Sequence, residues 1–280
     1  MAILDMDPET QQPQQQIIFP GGAKKRARRR GIYLIPSLFT ACNLLCGYYA
    51  ILAILTKGEF QLDYAARAIG VAIVFDLMDG FIARLTGTSS EFGKQFDSLA
   101  DVVSFGIAPA ALAYAWGIRD VARDSTTIVH VIQFAWVMSL FFAICCAWRL
   151  ARFIVQGMAS SGSLRYFIGM PTPAAAGMVA AIVHFCKIPL DDWRWSLLFF
   201  CLVGVLGLLM TSTVRYVSFK NVNLGKRRNS LMIVAIGAFI WMVVVYSEPV
   251  LLILASVYTA SGITLHLLRF VKHRQAHRPA

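Results

Sequence analysis

The chain has 280 residues, of which 58% are hydrophobic and 15% are charged. Because soluble domains carry charge on roughly a quarter of their residues, this composition excludes an ordinary soluble protein. The formal net charge is +11, but the basic residues cluster at alternate connections between apolar segments, as the positive-inside rule predicts. The charge therefore indicates membrane topology and contact with anionic lipids, and we expect no nucleic-acid partner.

Apolar runs long enough to cross a bilayer as helices recur along the chain. We predict an all-α fold, a polytopic transmembrane helical bundle with about eight spans. The positions of the basic residues place both termini in the cytoplasm and the protein in the cell (cytoplasmic) membrane. The predicted spans lie near 32–56, 63–85, 95–118, 129–150, 171–187, 195–213, 230–247 and 249–268.

Four parts of the chain differ in composition. The basic run "KKRARRR" (24–30) ends a polar N-terminal segment and predicts a juxtamembrane anchor to anionic lipid. The predicted parts are a disordered and basic cytoplasmic segment at 1–31, a transmembrane domain at 32–225, two additional C-terminal transmembrane helices at 226–270, and a basic cytoplasmic tail at 271–280.

The end of the second predicted span carries two carboxylates and two small residues on one helical face. Asp76, Asp79, Gly80 and Ala83 follow the i, i+3, i+4, i+7 spacing, and Arg84 lies at the edge of that face. Small residues at such positions leave room for a ligand or for close packing of another helix.

The third predicted span begins with a matching face. Gly93, Asp97 and Asp101 step by four residues, and a short polar connection separates them from the preceding span. Because short connections join antiparallel neighbours, we expect the two pairs of carboxylates to face each other at the cytoplasmic end of the bundle.

Four carboxylates near hydrocarbon repel one another, and Arg84 can balance one at most. A divalent cation, or two, would compensate the charge, and hard oxygen ligands suit Mg²⁺, Mn²⁺ or Ca²⁺. Two such ions can clamp a phosphoryl group during displacement. The alternative from another class is a cation or proton-coupled transporter that uses the carboxylates as its ion site.

The spacing of eight residues resembles the signature of the CDP-alcohol phosphatidyltransferase family. Flanking segments, including "FDSLADVVSFGIAPA" (96–110) and "GMPTPAAAG" (169–177), are similar to the phosphatidylserine synthase branch of that family, and the resemblance covers residues 30–225. The matching residues are Asp76, Asp79, Gly80, Ala83, Arg84, Gly93, Asp97 and Asp101.

The resemblance implies an enzyme that transfers a phosphatidyl group from CDP-diacylglycerol to an alcohol and releases CMP. It implies that Asp76, Asp79 and Asp97 hold the metal ions, Mg²⁺ or Mn²⁺, and that Asp101 is the general base and also touches a metal. The residues that it implies for binding CDP-diacylglycerol are Asp79, Gly80, Ala83, Arg84, Ser90 and Gly93. Asn43 is a further candidate for this pocket, and the alternative is that its amide forms a helix–helix hydrogen bond.

The acceptor needs a polar site on the cytoplasmic side. If the acceptor is L-serine, as the resemblance implies, a cation should meet its carboxylate, and Arg149 and Arg152 are the candidates. Both arginines also fit the positive-inside rule without any role in binding. Glycerol phosphate, inositol phosphate and choline remain alternative acceptors. The resemblance further implies a homodimer among membrane lipids.

Overall fold

The computed structural model describes residues 22–56, 58, 60–86, 91–121, 126–159, 166–212, 214–217, 242 and 245–276. Within these residues the protein is a helical bundle, which confirms the predicted all-α class. Two three-residue strands are the β structure in the described part of the chain. In chain order the helices are α1 (Gly22–Leu55), α2 (Gln61–Thr86), α3 (Glu91–Asp101), α4 (Ala108–Ile118), α5 (Thr126–Ala159), α6 (Thr172–Cys186), α7 (Trp193–Thr211) and α8 (Ser247–Ala276).

Four described segments are long and apolar enough to cross a membrane, and α6 is a shorter apolar helix. Large apolar side chains such as Leu45, Leu77, Trp148 and Leu198 point outwards from the bundle, as expected where lipid replaces water. The count of about eight spans stays a prediction, because most of the predicted span at 230–247 lies outside the described residues. The four segments are Leu38–Leu55, Glu91–Ile118, Val129–Val155 and Trp193–Thr211.

The first helix begins earlier than the sequence predicts. We expected a span from residue 32 after a disordered segment, whereas α1 begins at Gly22 and includes the basic run at 24–30. Lys, Arg and Ala are good helix formers, so the helix can continue beyond its apolar part. Residues 1–21 and 277–280, which belong to the two predicted cytoplasmic ends, lie outside the described residues.

Small residues bring the helices of the bundle close together. α1 packs along α2, α5 packs along α7, and α6 lies between α2 and α8. Ala50 and Ala53 of α1 and Ala65 and Ala72 of α2 are buried, which lets the two backbones approach closely. This packing holds α2, which carries the first pair of predicted site carboxylates, against α1.

A π-helical turn, Val102–Ile107, separates α3 from α4 in what is otherwise one continuous helix. The Ala108 N–H donates to the carbonyl of Val103, five residues earlier. Pro109 follows at once, and proline removes an amide donor and crowds the preceding helical turn. The wider turn accommodates this proline, and it begins directly after Asp101.

Two short strands, one after α5 and one after α7, form a two-stranded antiparallel sheet. Strand β1 (Tyr166–Ile168) pairs with β2 (Arg215–Val217). Gly169 has a φ of +81°, and an added Cβ would lie 3.0 Å from the carbonyl oxygen of Ser212. Glycine therefore fits this turn, which leads into Pro171 and the start of α6.

A buried polar cluster lies at the other end of α2 from the predicted site. Asp63 accepts from His184 Nδ1 and forms an ion pair with Arg67 at 2.7 Å. His184 Nε2 lies 3.0 Å from the Ser247 hydroxyl of α8. The rise along a helix places Asp63 about 20 Å from Asp76, so this cluster joins α2, α6 and α8 away from the motif.

Candidate active site

Three of the four predicted carboxylates converge between α2 and α3. Asp76, Asp97 and Asp101 each offer a carboxylate oxygen within 4.8 Å of the others. The helical periods place these groups: Asp76 faces α3 from α2, while Asp97 and Asp101 lie one turn apart on α3. The convergence expected for the carboxylates is therefore observed for these three residues.

Asp79 occupies a different environment one turn after Asp76. Its side chain is buried, and its Oδ2 accepts a hydrogen bond from the Thr40 hydroxyl of α1. Thr40 was not among the predicted site residues. Its sequence signal is the three-residue spacing from Asn43, which puts the two polar side chains on one face of an apolar helix.

Asn43 is fully buried and directly contacts the motif. Its Nδ2 donates to Asp101 Oδ1 over 2.9 Å. Its Oδ1 is buried and has no hydrogen-bond partner among the described residues. Because a buried amide oxygen is costly to leave unpaired, this atom is available to a ligand group. The structure therefore places Asn43 beside the predicted base.

The donor set fits a divalent metal ion. Three carboxylate oxygens meet in a small volume, and within the described structure Asp97 Oδ1 is buried without a hydrogen-bond partner. Several carboxylates held this close repel one another unless a cation compensates them, and oxygen ligands suit hard divalent ions. Asp76, Asp97 and Asp101 are the residues placed to hold such an ion.

The structure describes some of the residues predicted to bind CDP-diacylglycerol. Gly80 is exposed, and among the described residues a Cβ added to it would meet no atom within 4 Å. Gly93 is half-buried at the start of α3. The side chains of Ala83 and Arg84, and the whole of Ser90, lie outside the described residues.

The two candidate acceptor arginines lie differently on α5. Arg149 Nη1 approaches the Thr172 hydroxyl at 3.5 Å, at the start of α6. Arg149 Nε is buried and has no hydrogen-bond partner in the described part of the protein. Arg152 lies one turn further along α5 and is half-buried. Arg149 is therefore the arginine that the fold directs towards the N-terminal end of α6.

Arg149 also belongs to the neighbourhood of the carboxylates. Its guanidinium is within electrostatic reach of Asp101. Cys146, one turn earlier on α5, packs against Gly106 of the π-helical turn, where an added Cβ would lie 3.2 Å from Cys146 Sγ. The close approach of α5 to this turn brings the arginine and the predicted base to one end of the bundle.

Comparison with known proteins agrees with this geometry. The family model described as CDP-alcohol phosphatidyltransferase matches residues 33–211. A protein of Helicobacter pylori strain 26695 is 33% identical over 242 residues, which cover 86% of this chain and 94% of that protein. A Methanocaldococcus jannaschii protein is 35% identical over 192 residues, 69% of this chain and 78% of the relative.

A Saccharomyces cerevisiae protein is 37% identical over 174 residues, 55% of this chain and 58% of the relative. All three proteins are named CDP-diacylglycerol–serine O-phosphatidyltransferase. The family match includes every carboxylate of the motif and extends over more than half of the sequence. The chain therefore belongs to the CDP-alcohol phosphatidyltransferase family.

Proposed function

We propose that this protein transfers the phosphatidyl group of CDP-diacylglycerol to L-serine, giving phosphatidylserine and CMP. The observation that carries the proposal is the convergence of Asp76, Asp97 and Asp101 in a chain of this family. The names of the similar proteins support serine as the acceptor. One substrate is a lipid diphosphate and the other is an amino acid dissolved in water, which suits carboxylates placed near the end of membrane helices.

The metal in this proposal is Mg²⁺ or Mn²⁺, with Ca²⁺ also compatible with oxygen ligands. Asp76, Asp97 and Asp101 would hold it, and Asp79 would complete a set for two ions. When bound, the metal supplies positive charge that neutralises the diphosphate and the departing CMP. Asp79 is hydrogen-bonded by Thr40, so its carboxylate orientation depends on α1 as well as on α2.

Asp101 is the proposed general base. The serine hydroxyl oxygen forms a bond to the phosphorus that carries diacylglycerol, the bond from this phosphorus to the CMP oxygen breaks, and Asp101 receives the hydroxyl proton. The Asn43 amide holds one oxygen of Asp101 over 2.9 Å and leaves the other available. Because a carboxylate is a weak base for an alcohol, orientation of the reacting groups must supply much of the acceleration.

The donor would lie over the face of α2 that carries Gly80. Gly80 has no side chain, so a Cβ there does not occupy this face, and Arg84 is proposed to pair with donor phosphate oxygens through its planar fork. Asn43 is proposed to offer its unpaired Oδ1 to the donor. The remaining proposed contacts are those of Asp79, Ala83, Ser90 and Gly93.

The serine carboxylate is proposed to bind Arg149. The buried Nε of this arginine lacks a partner among the described residues, and its Nη1 is directed at Thr172. Thr172 begins α6, and the first amides of a helix favour negative charge. Arg152 is the second candidate and would contribute from the next turn of α5. A site of this kind favours an acceptor with a carboxylate over choline.

We further propose a multi-pass protein of the cytoplasmic membrane with both termini in the cytoplasm, and a homodimer. The apolar outward faces of the helices support the membrane location. The basic residues at 24–30 and 269–278 support the orientation, because cytoplasmic ends carry more Lys and Arg.

The acceptor can be identified by offering alternatives together. Purified protein is given CDP-diacylglycerol, Mg²⁺ or Mn²⁺, and isotopically distinct serine, glycerol phosphate, inositol phosphate and choline, and labels entering lipid are compared. We expect the serine label alone. Entry of another label keeps the reaction and changes the acceptor. If folded protein releases no CMP with any alcohol, the transferase proposal fails and the ion-coupled transporter becomes the leading alternative.

A further inference from the structure

Ser104 lies inside the bundle, three residues after the proposed base. It belongs to the π-helical turn Val102–Ile107 and is fully buried. Its hydroxyl donates to the main-chain carbonyl of Asn43 over 2.9 Å. The function proposed above gives Ser104 no task.

Asn43 joins this contact to the proposed base. The residue accepts from Ser104 through its main chain, and through its side chain it donates to Asp101 Oδ1 over 2.9 Å. Asp101 and Ser104 are separated by less than one turn of the same continuous helix. The three residues therefore form a closed ring of two hydrogen bonds and a short stretch of backbone.

Gly47 makes this ring possible. A Cβ added to Gly47 would lie 2.8 Å from the Ser104 Cα and 3.0 Å from its Cβ, too close for either helix to stay in place. In a regular helix the amide of residue 47 bonds the carbonyl of residue 43, so that carbonyl receives both the helical bond and the Ser104 hydroxyl. The close approach of α1 to the π-helical turn thus fixes the Asn43 main chain.

We propose that Ser104 is a positioning residue for the transfer reaction: together with Gly47 it fixes Asn43, and through the Asn43 amide it orients the Asp101 carboxylate. This inference rests on the proposed function, because that function assigns Asp101 the role of base. A carboxylate held by one amide can rotate if that amide shifts, and small displacements of a catalytic group lower turnover. Supporting hydrogen bonds of this kind commonly change rates by about 10–100-fold.

The chain offers a matched control in Ser196. Its side chain is also fully buried, and its hydroxyl donates to a main-chain carbonyl, that of Gly117, over 2.7 Å. Ser196 lies on α7 and contacts none of the motif carboxylates in the described structure. Ser104→Ala and Ser196→Ala therefore both remove a hydrogen bond from a buried hydroxyl to a main-chain carbonyl. Only the carbonyl bonded by Ser104 belongs to a residue that contacts Asp101.

We expect Ser104→Ala to lower kcat by about 10–100-fold and leave KM for CDP-diacylglycerol within about twofold. Ser196→Ala should change neither, although both variants should lower Tm alike. Ser104→Cys keeps nearly the size of the side chain but donates only a weak hydrogen bond, so it should also lower kcat, and it tests the inference if Ser104→Ala does not fold. The positioning role would be overturned if Ser104→Ala and Ser196→Ala had the same kcat.

A second readout does not need turnover. Mg²⁺ or Mn²⁺ should raise the Tm of the wild-type protein, and this rise should be smaller in Ser104→Ala and unchanged in Ser196→Ala, because only the first variant loosens Asp101. An equal rise in both variants contradicts the inference. If wild-type protein releases no CMP with any alcohol, the proposed function fails, and this readout still decides whether Ser104 orients the carboxylate.

Discussion

The side-chain amide of Asn43 donates to Asp101 Oδ1 over 2.9 Å, although the two residues are 58 positions apart in the sequence. The contact ties α1 to the end of α3 at the centre of the carboxylate cluster. It leaves one carboxylate oxygen free of the amide and gives Asp101 a defined orientation. The proposed chemistry requires a base with this geometry, because the acceptor hydroxyl must approach from a fixed direction.

Replacing Asp101 by Asn should nearly abolish turnover. General bases contribute about 10²–10⁴-fold, so kcat should fall by that factor. The amide has nearly the same shape as the carboxylate, so binding of CDP-diacylglycerol at a saturating concentration of the metal should change little. CMP release and equilibrium binding of the donor measure the two effects separately. Near-normal turnover in Asp101→Asn would remove this residue from the role of base.

Among the carboxylate substitutions, Asp76→Asn is expected to change the metal dependence of the rate strongly. Asp76→Asn removes a ligand from the group of converging carboxylates, so the Mg²⁺ or Mn²⁺ concentration for half-maximal rate should rise by about 10-fold or more. Asp79→Asn should have a smaller effect, because Thr40 already holds that side chain.

Glu91→Gln is the matched control for the metal titration. Glu91 is an exposed carboxylate at the start of α3, and it pairs with Lys94 at 2.9 Å outside the cluster. The half-maximal metal concentration should be the same as in the wild-type protein. A common shift in Asp76→Asn and Glu91→Gln would indicate an effect of general charge and contradict the assignment of Asp76 as a ligand.

Arg149 and Arg152 can be separated by substitution with lysine. Lysine retains the charge but not the planar fork, and loss of a hydrogen bond to a charged group costs about 1.5–3 kcal/mol. Arg149→Lys should therefore raise KM for serine by about 10-fold or more, with little change in KM for CDP-diacylglycerol. Arg152→Lys should leave both constants close to wild type. The reverse pattern would assign the acceptor site to Arg152.

The polar cluster at the opposite end should affect stability and leave binding unchanged. Asp63→Ala leaves His184 without its buried carboxylate partner, and loss of a hydrogen bond to a charged group costs about 1.5–3 kcal/mol. Thermal unfolding in detergent should show a clear fall in Tm, while KM for both substrates stays constant. Glu248→Gln, which removes the exposed partner of Lys187, should change Tm little. Loss of substrate affinity in Asp63→Ala would link this cluster to the site.

Much of the site could be predicted from periodicity alone. The spacing of Asp76 on one helix and of Asp97 and Asp101 on the next determines which faces they share, and the short connection predicts antiparallel helices. Periodicity places Thr40 on the same face as Asn43 but does not identify its partner, and it gives no signal for Ser104. Their partners lie 39 and 61 positions away, so the contacts depend on how α1 packs in the bundle.

The local backbone also departs from what periodicity predicts. The predicted span at 95–118 is a single helix, whereas the structure contains a π-helical turn after Asp101. Pro109 was the available signal, because a proline within a helical pattern interrupts its hydrogen bonds. The proline indicates an irregularity, but whether it becomes a kink, an end or a wider turn depends on neighbours such as Gly47 and Cys146.

In the proposed reaction the carboxylate cluster supports transfer of a phosphatidyl group from CDP-diacylglycerol to serine. The most direct measurement follows CMP release and entry of labelled serine into lipid in the same reaction, with Mg²⁺ or Mn²⁺ and with EDTA. We predict equal amounts of CMP and labelled phosphatidylserine, loss of both in EDTA, and loss of both in Asp101→Asn. Labelled serine that still enters lipid in EDTA or with Asp101→Asn would contradict the proposed roles of the metal and of Asp101.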